Sequence, residues 1–124
     1  NGKIVYNQPA GHLEAGETFI QAAIRETLEE TGWTVTPTAL VGIYTYTAPA
    51  NGIIYHRYCF VAQADSYDAD SPLDTGIERA LWLSREELGQ RESQLRSPMV
   101  TRCIDDYLRG TRYPLELIVE DDAV

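Results

Sequence analysis

Glu26, Glu29 and Glu30 put three carboxylates within five consecutive residues. On one helix Glu26 and Glu30 are i,i+4 neighbours with Glu29 bordering them, and like charges so spaced repel by about 0.2–0.5 kcal/mol per pair even in water. A hard divalent cation turns that liability into a site. Mg²⁺ takes one or two carboxylate oxygens, keeps some of its waters and accepts its remaining ligands from phosphates. A glutamate-rich helix by itself reads more simply as a solvated face, but the residues before it shift the balance. Gly11 and Gly16 bracket a loop whose backbone can approach the helix closely, and a carbonyl from that loop can add a further oxygen ligand.

These carboxylates need a helix to hold them. The sequence predicts one over residues 18–31, with Thr18 and Gln21 at capping-box spacing and Gly32 as its terminator. Ile20, Ile24 and Leu28 form its expected buried stripe, with Ala23 and Thr27 beside them. Glu26, Glu29 and Glu30 lie on the other arc, and Arg25 can reach Glu29 at i,i+4. Residues 3–8 read as a short strand ending at Pro9. Residues 40–47 and 53–63 read as a hairpin through the 49–52 turn, signalled by Asn51-Gly52. Residues 65–74 are loop-like, and residues 78–83 read as another short strand. Ser84 and Glu87 cap a helix over 84–88. Ser97-Pro98 opens a last helix, with Pro98 expected at its first helical position, an apolar stripe of Val100, Cys103, Ile104, Tyr107 and Leu108, and Gly110 at its end. Helices before and after a hairpin imply an α/β or α+β sandwich.

The 124 residues fit one domain, and 44% hydrophobic with 23% charged residues is ordinary for a globular chain. A net charge of −9 argues against nucleic acid or an anionic membrane as partner. A small phosphorylated substrate remains compatible if bound cations reverse the local field. Cys59 and Cys103 are far apart, without metal-ligand spacing, and each falls at an apolar position, so both read as core thiols. No apolar run reaches the roughly 18 residues of a membrane span and no signal peptide is visible, so a cytoplasmic location is the expectation. No nucleophile–base set of the Ser-His-Asp or Cys-His type is evident. The chain opens on the hairpin dipeptide Asn1-Gly2 with no strand before it, which suggests that earlier residues precede this record.

Gly11, Glu17, Arg25, Glu26, Glu29, Glu30 and Gly32 match every fixed position of the Nudix box, G-x5-E-x7-R-E-U-x-E-E-x-G-U. Trp33 suits one bulky apolar position and Thr27 departs mildly from the other. The chain thus resembles the Nudix hydrolases. That resemblance implies a mixed β-sheet between helices, its first strands lying before Gly2, and Mg²⁺-dependent hydrolysis of a pyrophosphate linkage, with Mn²⁺ able to substitute. It implies Glu26, Glu29 and Glu30 as metal ligands with the backbone near Gly11. Asp74, preferred over Glu78, is the expected carboxylate from outside the box. Glu26 or Glu29 would orient or deprotonate the attacking water. Arg25 would complete the catalytic set through an ion pair with Glu17 that shapes the loop.

The segments before the helix, at residues 95–98 (LRSP) and at 112–116 (RYPLE) look like the NudJ-type phosphatases, linked to pyrimidine pyrophosphate, thiamine pyrophosphate and nucleotides. Another nucleotide-sanitising or sugar-nucleotide hydrolase is the alternative, and a non-catalytic nucleotide-binding regulator a more remote one. Expected substrate contacts are His12 and Arg57 for phosphate, Gln8 for a ring edge, and Tyr44 and Tyr58 for stacking, with Tyr6 and Tyr46 as further stacking surfaces. Arg96 and Ser97 are further candidates at a helix start. The expected assembly is a monomer or homodimer, with no nucleic acid and no membrane.

Overall fold

A computed structural model of the chain describes residues 13–75, 77 and 79–120. The expected strand at 3–8, and the candidates Tyr6, Gln8, Gly11, His12 and Glu78, lie outside them.

Helix α1 (Phe19–Thr31) begins and ends where its caps dictate. The Thr18 hydroxyl accepts from the Gln21 N–H while the Gln21 side chain accepts from the Thr18 N–H, closing the expected capping box. Gly32 ends the helix in the left-handed region at φ 81°, its N–H bonding the Leu28 carbonyl at 2.9 Å. A Cβ on Gly32 would sit 3.0 Å from the Asp68 carbonyl oxygen, so conformation and space both demand glycine here. The chain turns at once into β1 (Trp33–Thr47), which pairs antiparallel with β2 (Ile54–Tyr67). The strands are longer than expected, because the register slips near Thr34, Pro37 and Leu40 let the ladder continue past a proline. At the tip, Gly52 takes φ 70° and Asn51 Oδ1 accepts from the Ile53 N–H.

Alternate residues of the hairpin serve two layers. Tyr58 stacks on Phe19 of α1, with ring centroids 4.2 Å apart. Its neighbour Cys59 points the other way, toward a cavity that it lines together with Cys103 of α3 (Met99–Leu108). Helices therefore flank both faces. Among the described residues, however, the sheet is a purely antiparallel pair rather than mixed. Tyr113 adds one bridge to the outer edge of β1, exchanging two 2.8 Å bonds with Leu40.

The core gathers on the α3 side. Val41, Val100 and Cys103 are buried there; Leu88 of the short α2 (Arg85–Gly89) and Leu40, which pairs with Phe60 in the ladder, are also buried. Ser84 and Glu87 close the second expected capping box. α3 starts at Met99, with Pro98 as its cap rather than its first helical residue, and Gly110 follows its end at φ 87°. Two expectations about apolar stripes need correction. Ile20 and Ile24 are half-buried and Leu28 is 36% exposed, so the stripe of α1 is only partly covered. On α3, Tyr107 and Leu108 are exposed, while the polar Asp106 takes the buried position. The strand expected at 78–83 is absent from its described part, 79–83. Residues 79–82 are exposed, Trp82 at 76%, and Trp82 meets Trp33 edge-on at 5.5 Å.

Candidate active site on helix α1

The loop before α1 is shaped around Glu17. Residues 14–17 form a turn in which Glu17 N–H bonds the Glu14 carbonyl, the Glu17 carboxylate accepts from the Glu14 N–H at 3.0 Å, and Gly16 supplies φ 78°. The same carboxylate receives Arg25 through two bonds, at 2.7 and 3.0 Å. This two-pronged bond, with the Glu14 N–H second, holds the Glu17 carboxyl below the usual glutamate range. In return Glu17 pushes the Arg25 guanidinium well above its ordinary value, so Arg25 is a permanent cation.

Arg25 also reaches forward along the helix. Its Nη1 lies 2.9 Å from Glu26 Oε1 and 3.0 Å from Glu29 Oε1, and Glu14 stands 3.5 Å from its Nε. One guanidinium therefore ties the loop to the two carboxylates expected to hold metal. The Glu29 bond is the i,i+4 contact expected from spacing. Glu14 was missed, since an exposed glutamate three residues before Glu17 carries no signal of its own.

Asp74 joins the pair from the loop after β2. Its N–H bonds the Glu29 carbonyl at 3.0 Å, which fixes that loop against α1. One oxygen from each of Glu26, Glu29 and Asp74 lies within 4.8 Å of the others, with the two glutamates half-buried and Asp74 exposed. Such a cluster repels itself, and the single charge of Arg25 offsets it only in part. Three hard oxygen donors converging on one point suit a Mg²⁺- or Mn²⁺-type ion. Arg25 meets Glu26 and Glu29 each at Oε1, so it and an ion would share the two carboxylates. Glu30, expected as a ligand, stands outside this three-residue group.

A family model described as the NUDIX domain matches residues 2–103. The chain belongs to the Nudix family. Phosphatase NudJ of Escherichia coli (strain K12) is 42% identical over 118 residues, covering 95% of this chain and 76% of that protein, and Phosphatase NudJ of Shigella flexneri matches equally well. A solved NUDIX hydrolase from Nitrosomonas europaea is 48% identical and superposes with a TM-score of 0.97, over all of this chain and 84% of that one. The expected likeness to NudJ-type Nudix proteins is thus borne out, and with it a phosphohydrolase of pyrophosphate-containing substrates. Among the described residues no helix is long and apolar enough to cross a membrane.

The remaining candidates of this Nudix chain divide between the two faces of the hairpin. Tyr58 lies on the α1 side, one ring face covered by Phe19. Tyr44 and Arg57 lie on the α3 side. The Tyr44 hydroxyl donates to Asp106 at 2.6 Å, and Arg57 pairs with Tyr44 across the ladder. Ser97 lies just before the Pro98 cap of α3, its hydroxyl accepting from the Met99 N–H at 3.2 Å. The structure therefore brings together Glu17, Arg25, Glu26, Glu29 and Asp74, and sets Tyr44 and Arg57 apart from them.

Proposed function

We propose that this Nudix protein hydrolyses a pyrophosphate linkage in a small organic or nucleoside di- or triphosphate, in the manner of a NudJ-type phosphatase, with Mg²⁺ as cofactor and Mn²⁺ as its substitute. The observation that carries this reading is the convergence of Glu26, Glu29 and Asp74 oxygens within 4.8 Å around the Nudix helix. Glu26, Glu29 and Asp74 would hold the ion, with Glu30 and the Gly11 backbone completing the set. The bound ion supplies positive charge that neutralises phosphate oxygens and the leaving group.

The chain's own groups do the rest. Glu29, more exposed than Glu26 and held in place by Arg25, would orient or deprotonate the attacking water. Arg25 is a positioning residue. Through Glu17 it locks loop to helix, and through Oε1 it sets the rotamers of Glu26 and Glu29. The 42% identity with NudJ supports pyrimidine pyrophosphate, thiamine pyrophosphate and nucleotides as the substrates to try first.

The test is full-length protein with Mg²⁺ on that panel, following phosphate against pyrophosphate release. Turnover on at least one thiamine-type or nucleoside pyrophosphate, abolished by a chelator and restored by Mg²⁺, is the expected result. Full turnover in the chelator would overturn the metal assignment.

A further inference from the structure

Helix α1 carries no acidic residue in its own first turn, although the N–H groups there make the positive end of the helix. Its capping box satisfies the Thr18 and Gln21 N–H groups, which leaves those of Phe19 and Ile20 without a partner inside the helix. Glu17, two residues before Phe19, is committed to Arg25 and to the Glu14 N–H. The carboxylate that meets this turn comes from 101 residues away in sequence: Glu120 Oε2 accepts from the Phe19 N–H at 2.6 Å.

The residues that bring Glu120 there form a strap past the outer edge of β1. Beyond α3 the Thr111 N–H bonds the Asp106 carbonyl at 3.2 Å, Tyr113 bridges to Leu40, and a 3₁₀ turn at Leu115–Leu117 redirects the chain. Leu115, Ile118 and Glu120 are half-buried, while Glu116, Leu117 and Val119 are exposed. Phe19 is thus held twice, its ring by Tyr58 and its N–H by Glu120. Both anchors act one residue after the Thr18 cap and two after Glu17, whose carboxylate binds the guanidinium that meets Glu26 and Glu29.

We propose that Glu120 is a positioning residue for the metal-binding carboxylates. By holding the first turn of α1 it keeps Glu17 in place against Arg25, and so sets where Glu26 and Glu29 stand. Glu120 acts through the Phe19 N–H and not on substrate or metal. Its catalytic consequence rests on the hydrolase activity proposed above; the contact itself needs neither metal nor substrate.

The test compares full-length native protein with Glu120→Ala, Glu120→Gln and Val119→Ala. Amide exchange at Phe19, read by NMR, should be at least ~10-fold faster in Glu120→Ala, since that donor loses its partner. In the same variant kcat at saturating Mg²⁺ should fall roughly 10-fold with KM little changed, as when a group supporting metal ligands is removed. Glu120→Gln keeps an acceptor oxygen at the same reach and should recover most of both losses. Val119→Ala, changed at a residue 91% exposed, should match the native chain in both. Native exchange at Phe19 in Glu120→Ala would overturn the contact. Faster exchange with native kcat, a Glu120→Gln as poor as Glu120→Ala, or equal losses in Val119→Ala would overturn the positioning role. A native chain without turnover on any substrate would sink the hydrolase reading instead. Mn²⁺ affinity would then decide the positioning role: a loss of at least ~3-fold in Glu120→Ala supports it, and native affinity overturns it.

Discussion

The two faces of one hairpin make opposite use of neighbouring residues. On the α1 face, charge gathers where burial is partial: Arg25 binds Glu14, Glu17, Glu26 and Glu29, and Asp74 closes the group. On the α3 face, Val41, Val100 and Cys103 are buried, and a buried acid, Asp106, is held by Tyr44, Arg102 and Arg109. Tyr58 and Cys59 are adjacent in β2 yet belong to different layers, because strand side chains alternate. A helix that concentrates carboxylates cannot also supply most of the core, so stability and chemistry are divided between its two sides.

That division can be broken from either side. The largest effect should come from Glu26→Gln, which keeps the shape but removes a charge from the convergent oxygens; turnover should fall by about 10²–10⁴-fold with an unchanged melting transition. Next, Val100→Ala on the other side should cost about 2 kcal/mol in urea unfolding, since its side chain is 2% exposed, and leave turnover of the folded fraction as it was. Tyr44→Phe removes one hydrogen bond to Asp106, whose arginine partners remain, and should cost about 1 kcal/mol in the same measurement. If Tyr44→Phe instead abolished turnover with stability intact, the two faces would not be separate.

The smallest effect sharpens the loop–helix lock. Arg25 lowers the folded-state pKa of Glu17 below the ordinary 4.5, so the pair's stability is complete above pH 4.5 and is lost as pH falls through that lowered value. Arg25 itself stays charged throughout. Melting temperatures of the native chain and Glu17→Gln should therefore differ near neutrality and converge in acid. A gap that persists at the acid end would contradict the pairing.

Local rules made much of this legible. Thr18 with Gln21, Ser84 with Glu87, and Gly32 each act over four residues or fewer, and all three appear where expected. The Arg25–Glu29 contact follows from helical spacing and the Arg25–Glu17 pair from the box. What escaped depends on distant partners. The 78–83 segment has an apolar alternation, but its described residues find no ladder, and Trp82 docks on Trp33 instead. Leu28 sits on an apolar stripe, yet it stays 36% exposed. Tyr44 and Arg57 look like ligand contacts by type, while the strand's alternation turns both toward α3. Nor does any spacing rule bring Cys59 and Cys103 to one cavity; only the packing of α3 does.

The most direct test is Mn²⁺ binding to full-length protein, measured by titration of the free-ion electron paramagnetic resonance signal, for the native chain, Glu26→Gln, Glu29→Gln and Asp74→Asn. One site shared by the three carboxylates predicts that each substitution weakens binding by at least ~10-fold, and that Asp74→Asn adds little once Glu26 is already changed. Native affinity in all three single variants would contradict the site itself.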